Sequence, residues 1–405
     1  MRRSRTGLTA LQAALLVVVL VALGYVNRTI TTDLDTGEDF AIGWTAADLW
    51  LRQRISPYDD RVAEASQQRI FGRTSPSDVI RQPASFLMPL PAILFYAPFA
   101  SFPFPIARTA WMTFGELCLL ASAILSFRLV RWRGVAWLTG LILMFAILWY
   151  HGAKAVISGQ FAPVEGLLLT GSLLAIHRKL DSVAGLLLGL SSVMPQLSIL
   201  FISFAIVWGL SARRWGLVLW TCGSVVALYG LSFALIPGWP LHWIGQLLTF
   251  FRTTDARPIV FAAVDLIPGA SAWVAIGLLV LSLIYLVWEW VAMSNQADRR
   301  FLWTSALTLS FTTVLTYRTT TGVFVILLPG LILALTVWLE RWGNQAGRWI
   351  GLQLMILAGG LWWLFFRTTL GSQESLLMFL PAPVLALVEL WWIRWWASRT
   401  TRLPF

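Results

Sequence analysis

The chain has 405 residues, 58% of them hydrophobic and 12% charged, with a mean hydropathy of +0.73. A soluble globule carries about twice that share of charge, so a soluble fold is excluded. The net charge of +11 would suit a nucleic-acid binder, but the Lys and Arg residues are scattered between apolar runs, which is how cytoplasmic membrane loops are marked.

Apolar runs roughly 15 to 24 residues long recur from end to end, enough to cross a hydrocarbon core of about 30 Å. The first, Leu8 to Val26, follows MRRSR and lacks a small-residue cleavage site, so it reads as an uncleaved span with Arg2, Arg3 and Arg5 in the cytoplasm. The stretch after it gathers Asp33, Asp35, Glu38, Asp39, Asp48, Asp59 and Asp60, seven of the 19 acidic residues. A carboxylate at the boundary of water and lipid is costly unless it is paired or used. From Asp39 through Trp50 the small and apolar residues have the spacing of an amphipathic helix lying on the outer interface, ended by a turn at Ser56-Pro57-Tyr58. By position alone, Asp39 is as well suited to capping this helix as to chemistry.

Phe86 to Phe102 is apolar but carries Pro89, Pro91 and Pro98, which predicts a broken, interfacial or re-entrant piece. Basic clusters then close successive spans: Arg128, Arg131 and Arg133; Arg178 and Lys179; Arg213 and Arg214; Arg299 and Arg300; Arg341 and Arg348; Arg399 and Arg402. All become cytoplasmic if the chain is an all-α polytopic bundle of about twelve transmembrane helices with both termini inside. Leu180 to Leu210 is too long for one span and is basic at both ends, so it predicts two short helices meeting at Met194-Pro195-Gln196. The whole of 1–405 reads as one integral-membrane domain: a first extracytoplasmic loop with interfacial helices over 27–104, core spans over 105–236, and C-terminal spans over 237–405. His151 to Ala162, Pro237 to Ala270, the turn near Arg318 and Arg367 to Ser375 are the other expected outer stretches. The 24 Trp suit interfacial anchoring. His151, His177 and His242 lack metal-ligand spacing, so no metal site is expected, and no disulfide follows from Cys118 and Cys222.

The order Asp39-Phe40, Ala46-Ala47, then Ser56-Pro57-Tyr58-Asp59 resembles the first-loop signature of polyprenol-phosphate-sugar-dependent GT-C glycosyltransferases. It is most similar to glycosyltransferase family 87, the group that includes phosphatidylinositol-mannoside mannosyltransferases. The likeness continues through Gly159-Gln160 and AGLLLGLSSVMPQLSILF (Ala184 to Phe201), covering about the first half of the chain. The chain departs from the family at Met194, where lysine is frequent, at FLMPLP near Phe86, and at Tyr317-Arg318-Thr319, which replaces a histidine-containing turn.

The resemblance implies a GT-C-like fold and a plasma-membrane enzyme of the cell envelope. It would move a sugar, mannose-like, from a polyprenyl-phosphate donor to an extracytoplasmic glycolipid or glycan acceptor with inversion. No cofactor is implied, since the lipid-linked sugar is itself a substrate, and nucleic acid is not a partner. Asp39 matches the general base, with Asp35 as the second choice. Cations at the depth of a lipid phosphate, Arg81, His151, Lys154 and Arg318, are candidate substrate contacts, as are Tyr58 in the signature and Gln160 for a sugar hydroxyl. The alternative is a polytopic transporter or lipid flippase, for which paired repeats and mid-membrane charges would be expected.

Overall fold

A computed structural model of the chain describes residues 17–31, 37–72, 84–254, 256–293, 298–369 and 374–398. Asp33, Asp35 and Arg81 lie outside these residues. Among the described residues the named elements are all helical, as the composition predicts, and the chain divides into two compact units.

The first unit comprises residues up to Phe86, Ile93–Leu117 and Val156–Phe161. It holds α1 (Val17–Thr31), α2 (Glu38–Gln53), α3 (Asp60–Phe71), α4 (Ile93–Ala100) and the first half of α5 (Phe104–Val130). The helix expected from Asp39 onward is α2, whose first half is buried all round at Phe40, Ala41, Gly43, Trp44, Thr45, Ala46 and Ala47 and which stops at Arg54 in the left-handed region. The turn at Ser56-Pro57-Tyr58 leads directly into α3, a helix that the hydropathy pattern does not reveal. Asp59 caps it: its carboxylate accepts the Arg61 backbone N–H at 3.0 Å and pairs with the Arg61 guanidinium at 3.0 Å. α1 is stitched to α5 by Asn27, whose amide donates to Thr113 Oγ1 (3.0 Å) and Glu116 Oε2 (2.9 Å). The Asn27-Arg28-Thr29 sequon is therefore consumed inside the fold.

The second unit comprises Leu87–Ala92, Cys118–Ala155 and the chain from Ala162 onward. After a 3-10 turn at Leu90–Ala92, its helices are α6 (Ala136–Leu148), most of α7 (Tyr150–Ile157), α8 (Ala162–His177), α9 (Asp181–Ser191), α10 (Pro195–Ser211), α11 (Trp215–Leu235), α12 (Trp239–Thr253) and α13 (Ile259–Asp265). Then follow α14 (Ala272–Met293), α15 (Asp298–Leu315), a 3-10 segment Thr321–Leu327, α16 (Leu328–Trp342), α17 (Asn344–Thr368), a 3-10 turn Leu376–Phe379, α18 (Pro381–Trp392) and α19 (Arg394–Ser398). The expected break at Met194-Pro195 is present: Pro195 opens α10, where a missing N–H costs nothing. α9 packs on α11 through Gly185 and Gly189. A Cβ at Gly185 would stand 2.5 Å from the Trp220 Cβ, and one at Gly189 2.1 Å from the Ser224 Oγ. This is the close backbone approach that small residues four apart permit in a membrane.

Among the described residues, five helical segments are long and apolar enough to cross a membrane: α5, α11, α14, Thr321–Trp342 and Gln345–Thr368. The α6–α7 pair, bent by 47°, makes six, and six further apolar helices are shorter, at 10–17 residues. Two stretches expected as outer loops are helical instead. His151 to Ala162 is largely α7, and Pro237 to Ala270 holds α12 and α13, because polar residues interrupt the apolar runs without breaking the helix. Arg300, expected in a cytoplasmic loop, is buried in the first turn of α15 and pairs with Glu289, which also accepts from Arg394 at 2.8 Å. Glu389 accepts from Gln353. These acids thus hold helices together.

The Asp59 carboxyl is held below its ordinary range by the hydrogen bonds from Arg61, so its cap is complete above the normal carboxylate range and is lost only as pH falls through the lowered value. Asp59→Ala should therefore destabilise α3 by about 1 kcal/mol at neutral pH. Amide hydrogen exchange should show it as faster exchange in the first turn of α3, with α2 unchanged.

Candidate functional site

Gly37 occupies the N-cap of α2 at φ 98°, with no side-chain cap. Asp39 is therefore not a capping residue but the second residue of the helix. Its side chain is exposed, and the positive end of the helix dipole favours a carboxylate there. Its backbone is fixed: the Asp39 N–H donates to the Ser158 carbonyl at 3.2 Å.

The next residue, Phe40, is fully buried. Its ring stacks on Trp111 (centroids 5.4 Å apart) and Phe104 (5.9 Å) and meets Phe99 edge-on (6.4 Å). Gly159, at φ +70°, lies against it so closely that a Cβ there would come within 2.4 Å of the Phe40 Cβ. Only glycine suits both that backbone angle and that approach. The Gly159 carbonyl accepts the Trp111 indole N–H at 2.9 Å, and Gln160 follows, buried. The Asp39-Phe40 and Gly159-Gln160 pairs, far apart in sequence, are thus one structural feature of the first unit.

Two residues that sequence reasoning missed stand beside them. Arg108 of α5 is buried and packs on Gly37, its Nε only 2.7 Å from where a Cβ would lie. Tyr96 of α4 is buried with its ring against Gly43. Burial, and after it the Asp39 carboxylate, raises the Tyr96 phenol far above its ordinary range, so it stays a neutral donor. The available signals were weak: one Arg early in an apolar run, and one Tyr among prolines. Tyr58 is buried too, its ring 6.0 Å from Phe86, and sits where α2 turns into α3.

The second unit carries His151, Lys154 and Arg318. His151 is fully buried, its ring set between Trp149 (4.9 Å) and Phe324 (4.9 Å), and neither ring nitrogen has a hydrogen-bond partner among the described residues. Lys154 is half-buried on the same helix. Arg318 sits in the expected turn, where its N–H donates to the Arg257 carbonyl at 2.8 Å, while the Arg257 side chain pairs with Asp265 at 3.0 Å. Burial pushes the neighbouring Tyr317 phenol up to about 12. Glu374 ties this region together, accepting the Tyr150 hydroxyl at 2.6 Å, the Thr321 N–H at 2.9 Å and the Thr321 hydroxyl at 2.7 Å. Glu165, in the first turn of α8, is fully buried with neither carboxyl oxygen hydrogen-bonded among the described residues. Nothing in the sequence distinguished Glu165 or Glu374 from helix-end and loop acids.

In chemical terms, the first unit presents the exposed Asp39 carboxylate on a hydrogen-bonded backbone, with a buried guanidinium and a buried phenol near the start of α2. Such a carboxylate can take a proton from an incoming hydroxyl without reorganising its support.

The chain matches the model of glycosyltransferase family 87 over residues 86–258. That bears out the resemblance carried by Gly159-Gln160 and Ala184 to Phe201, and it indicates a glycosyltransferase. The matched stretch includes Tyr96, Arg108, Gln160 and Glu165 and begins after Asp39. No curated protein and no solved structure matches the chain.

Gly159→Ala should combine a left-handed backbone penalty of roughly 1–2 kcal/mol with displacement of Phe40. The expected result is a clearly lower thermal midpoint in detergent. Gly277→Ala, at a position with nothing within 4 Å of a Cβ, should leave the midpoint near wild type.

Proposed function

We propose that this protein is a multi-pass membrane glycosyltransferase of the polyprenyl-phosphate-sugar-dependent type. It moves one sugar, mannose-like, from the lipid-linked donor to a glycolipid or glycan acceptor on the extracytoplasmic side. The glycosyltransferase part rests on the family 87 match. The five or six long apolar helices among the described residues, with shorter apolar ones beside them, support a GT-C-like bundle of about twelve, with both termini cytoplasmic.

The observation that carries the mechanism is the exposed Asp39 beside a fully buried Phe40. A sugar on a polyprenyl phosphate already has a good leaving group, so the reaction chiefly needs an activated acceptor. The Asp39 carboxylate takes the proton of the acceptor hydroxyl as its oxygen attacks the anomeric carbon. The bond from that carbon to the phosphate oxygen breaks with its electron pair leaving on the phosphate, and displacement from the back inverts the centre. Gln160 is suited to hold a sugar hydroxyl, and Arg108 keeps positive charge at the start of α2.

Asp39→Asn should lower transfer by about 10²–10⁴-fold while thermal stability in detergent stays at the wild-type value, and Asp35→Asn should be milder. The measurement is release of polyprenyl phosphate from a polyprenyl-phosphate sugar by purified protein. Wild-type turnover by Asp39→Asn would remove Asp39 from the role of base.

A further inference from the structure

A groove of about 560 Å³ runs along the outer side of the first unit between α1 and α5. Its walls are Gly24, Phe99, Ala110, Phe114 and Leu117 with their neighbours, and Arg28 is the one charged residue among the described residues that line it. Ile106 to Leu117 covers about 16 Å of helix at 1.5 Å per residue, so the groove has room for an extended hydrocarbon chain.

The end with Arg28 is also the end where Asp39 lies. Thr31, three residues beyond Arg28, meets Thr109 hydroxyl to hydroxyl at 3.3 Å near the start of α5. The preceding residue of α5, Arg108, packs on Gly37, two residues before Asp39. Phe99 is shared: it lines the groove on one side and meets Phe40 (6.4 Å) and Trp111 (5.1 Å) on the other. One aromatic ring therefore separates the groove from the residue that follows Asp39.

One exposed guanidinium at the mouth of an otherwise uncharged, apolar groove matches a single phosphate on a hydrocarbon chain. We infer that this groove binds the lipid part of the polyprenyl-phosphate substrate, with Arg28 on its phosphate and the chain running past Ala110 and Leu117. The inference rests on the proposed glycosyltransferase reading for the identity of the lipid. An ordinary anionic phospholipid shares the chemistry and is the competitor that the test must separate.

The probe is a photoreactive polyprenyl monophosphate, without sugar, added to the full-length protein in phosphatidylcholine nanodiscs. Labelling should fall on α1 and α5 and be competed by unlabelled polyprenyl phosphate but not by equal phosphatidylglycerol. Gly24→Phe and Ala110→Trp fill the groove from opposite walls, at a glycine with nothing within 4 Å of a Cβ and at an exposed alanine. Each should cut labelling at least tenfold. Arg28→Gln, an exposed position that leaves the walls intact, should weaken binding by about tenfold, the worth of one charged hydrogen bond. Unchanged labelling in both filled variants, or equal competition by phosphatidylglycerol, would overturn the assignment. Asp39→Asn should bind the probe as wild type does. If Asp39→Asn still transfers while the filled variants lose the probe, the base fails and the groove stands; if Asp39→Asn is inactive while labelling ignores the groove, the groove alone fails.

Discussion

The contact between Gly159 and Phe40 governs the geometry of the first unit. A benzyl side chain with no exposed surface is held by Trp111, Phe104 and Phe99, and a glycine in a left-handed conformation closes the last side. Aromatic pairs of this kind add about 0.5–1.5 kcal/mol each beyond their burial. Because Asp39 precedes Phe40 and its own N–H is tied to Ser158, its carboxylate projects from a backbone that is fixed on both sides. Under the proposed mechanism, an acid with such support is already oriented when an acceptor arrives.

The chain uses its acids in two ways. Glu289, Glu389, Glu374 and Glu116 are committed to partners: Arg300 and Arg394, Gln353, Tyr150 and Thr321, and Asn27. Each joins elements distant in sequence, and removing one partner would leave a buried polar group costly to keep. Asp39 is exposed at a helix start, where the positive end of the dipole favours its charge. Exposure, more than the number of acids in the first stretch, separates Asp39 from the buried Glu289, Glu389 and Glu116.

The features legible in the sequence were local ones. Proline marked the break before α10 and the irregular run into α4, and Ser56-Pro57-Tyr58 marked the end of α2, because these residues act through their own backbone. Membrane character followed from hydropathy, and the family 87 likeness followed from the order of short motifs. Other features were hidden because they depend on long-range packing or on segments that hydropathy misses. Nothing in the local sequence announces that Arg108 packs on Gly37, that Tyr96 feels Asp39, or that Glu374 receives Tyr150. α3, α12 and α13 were hidden by polar residues and modest length.

The glycine face of α9 limits where this protein can bend. With Gly185 and Gly189 seated directly on Trp220 and Ser224, α9 and α11 must travel as one body, since any relative sliding drives backbone into backbone. α10 lies beyond a residue pair that carries no continuous helical hydrogen-bond ladder. The change of direction in this part of the chain is therefore made at Met194-Pro195, with the α9–α11 pair as its fixed side.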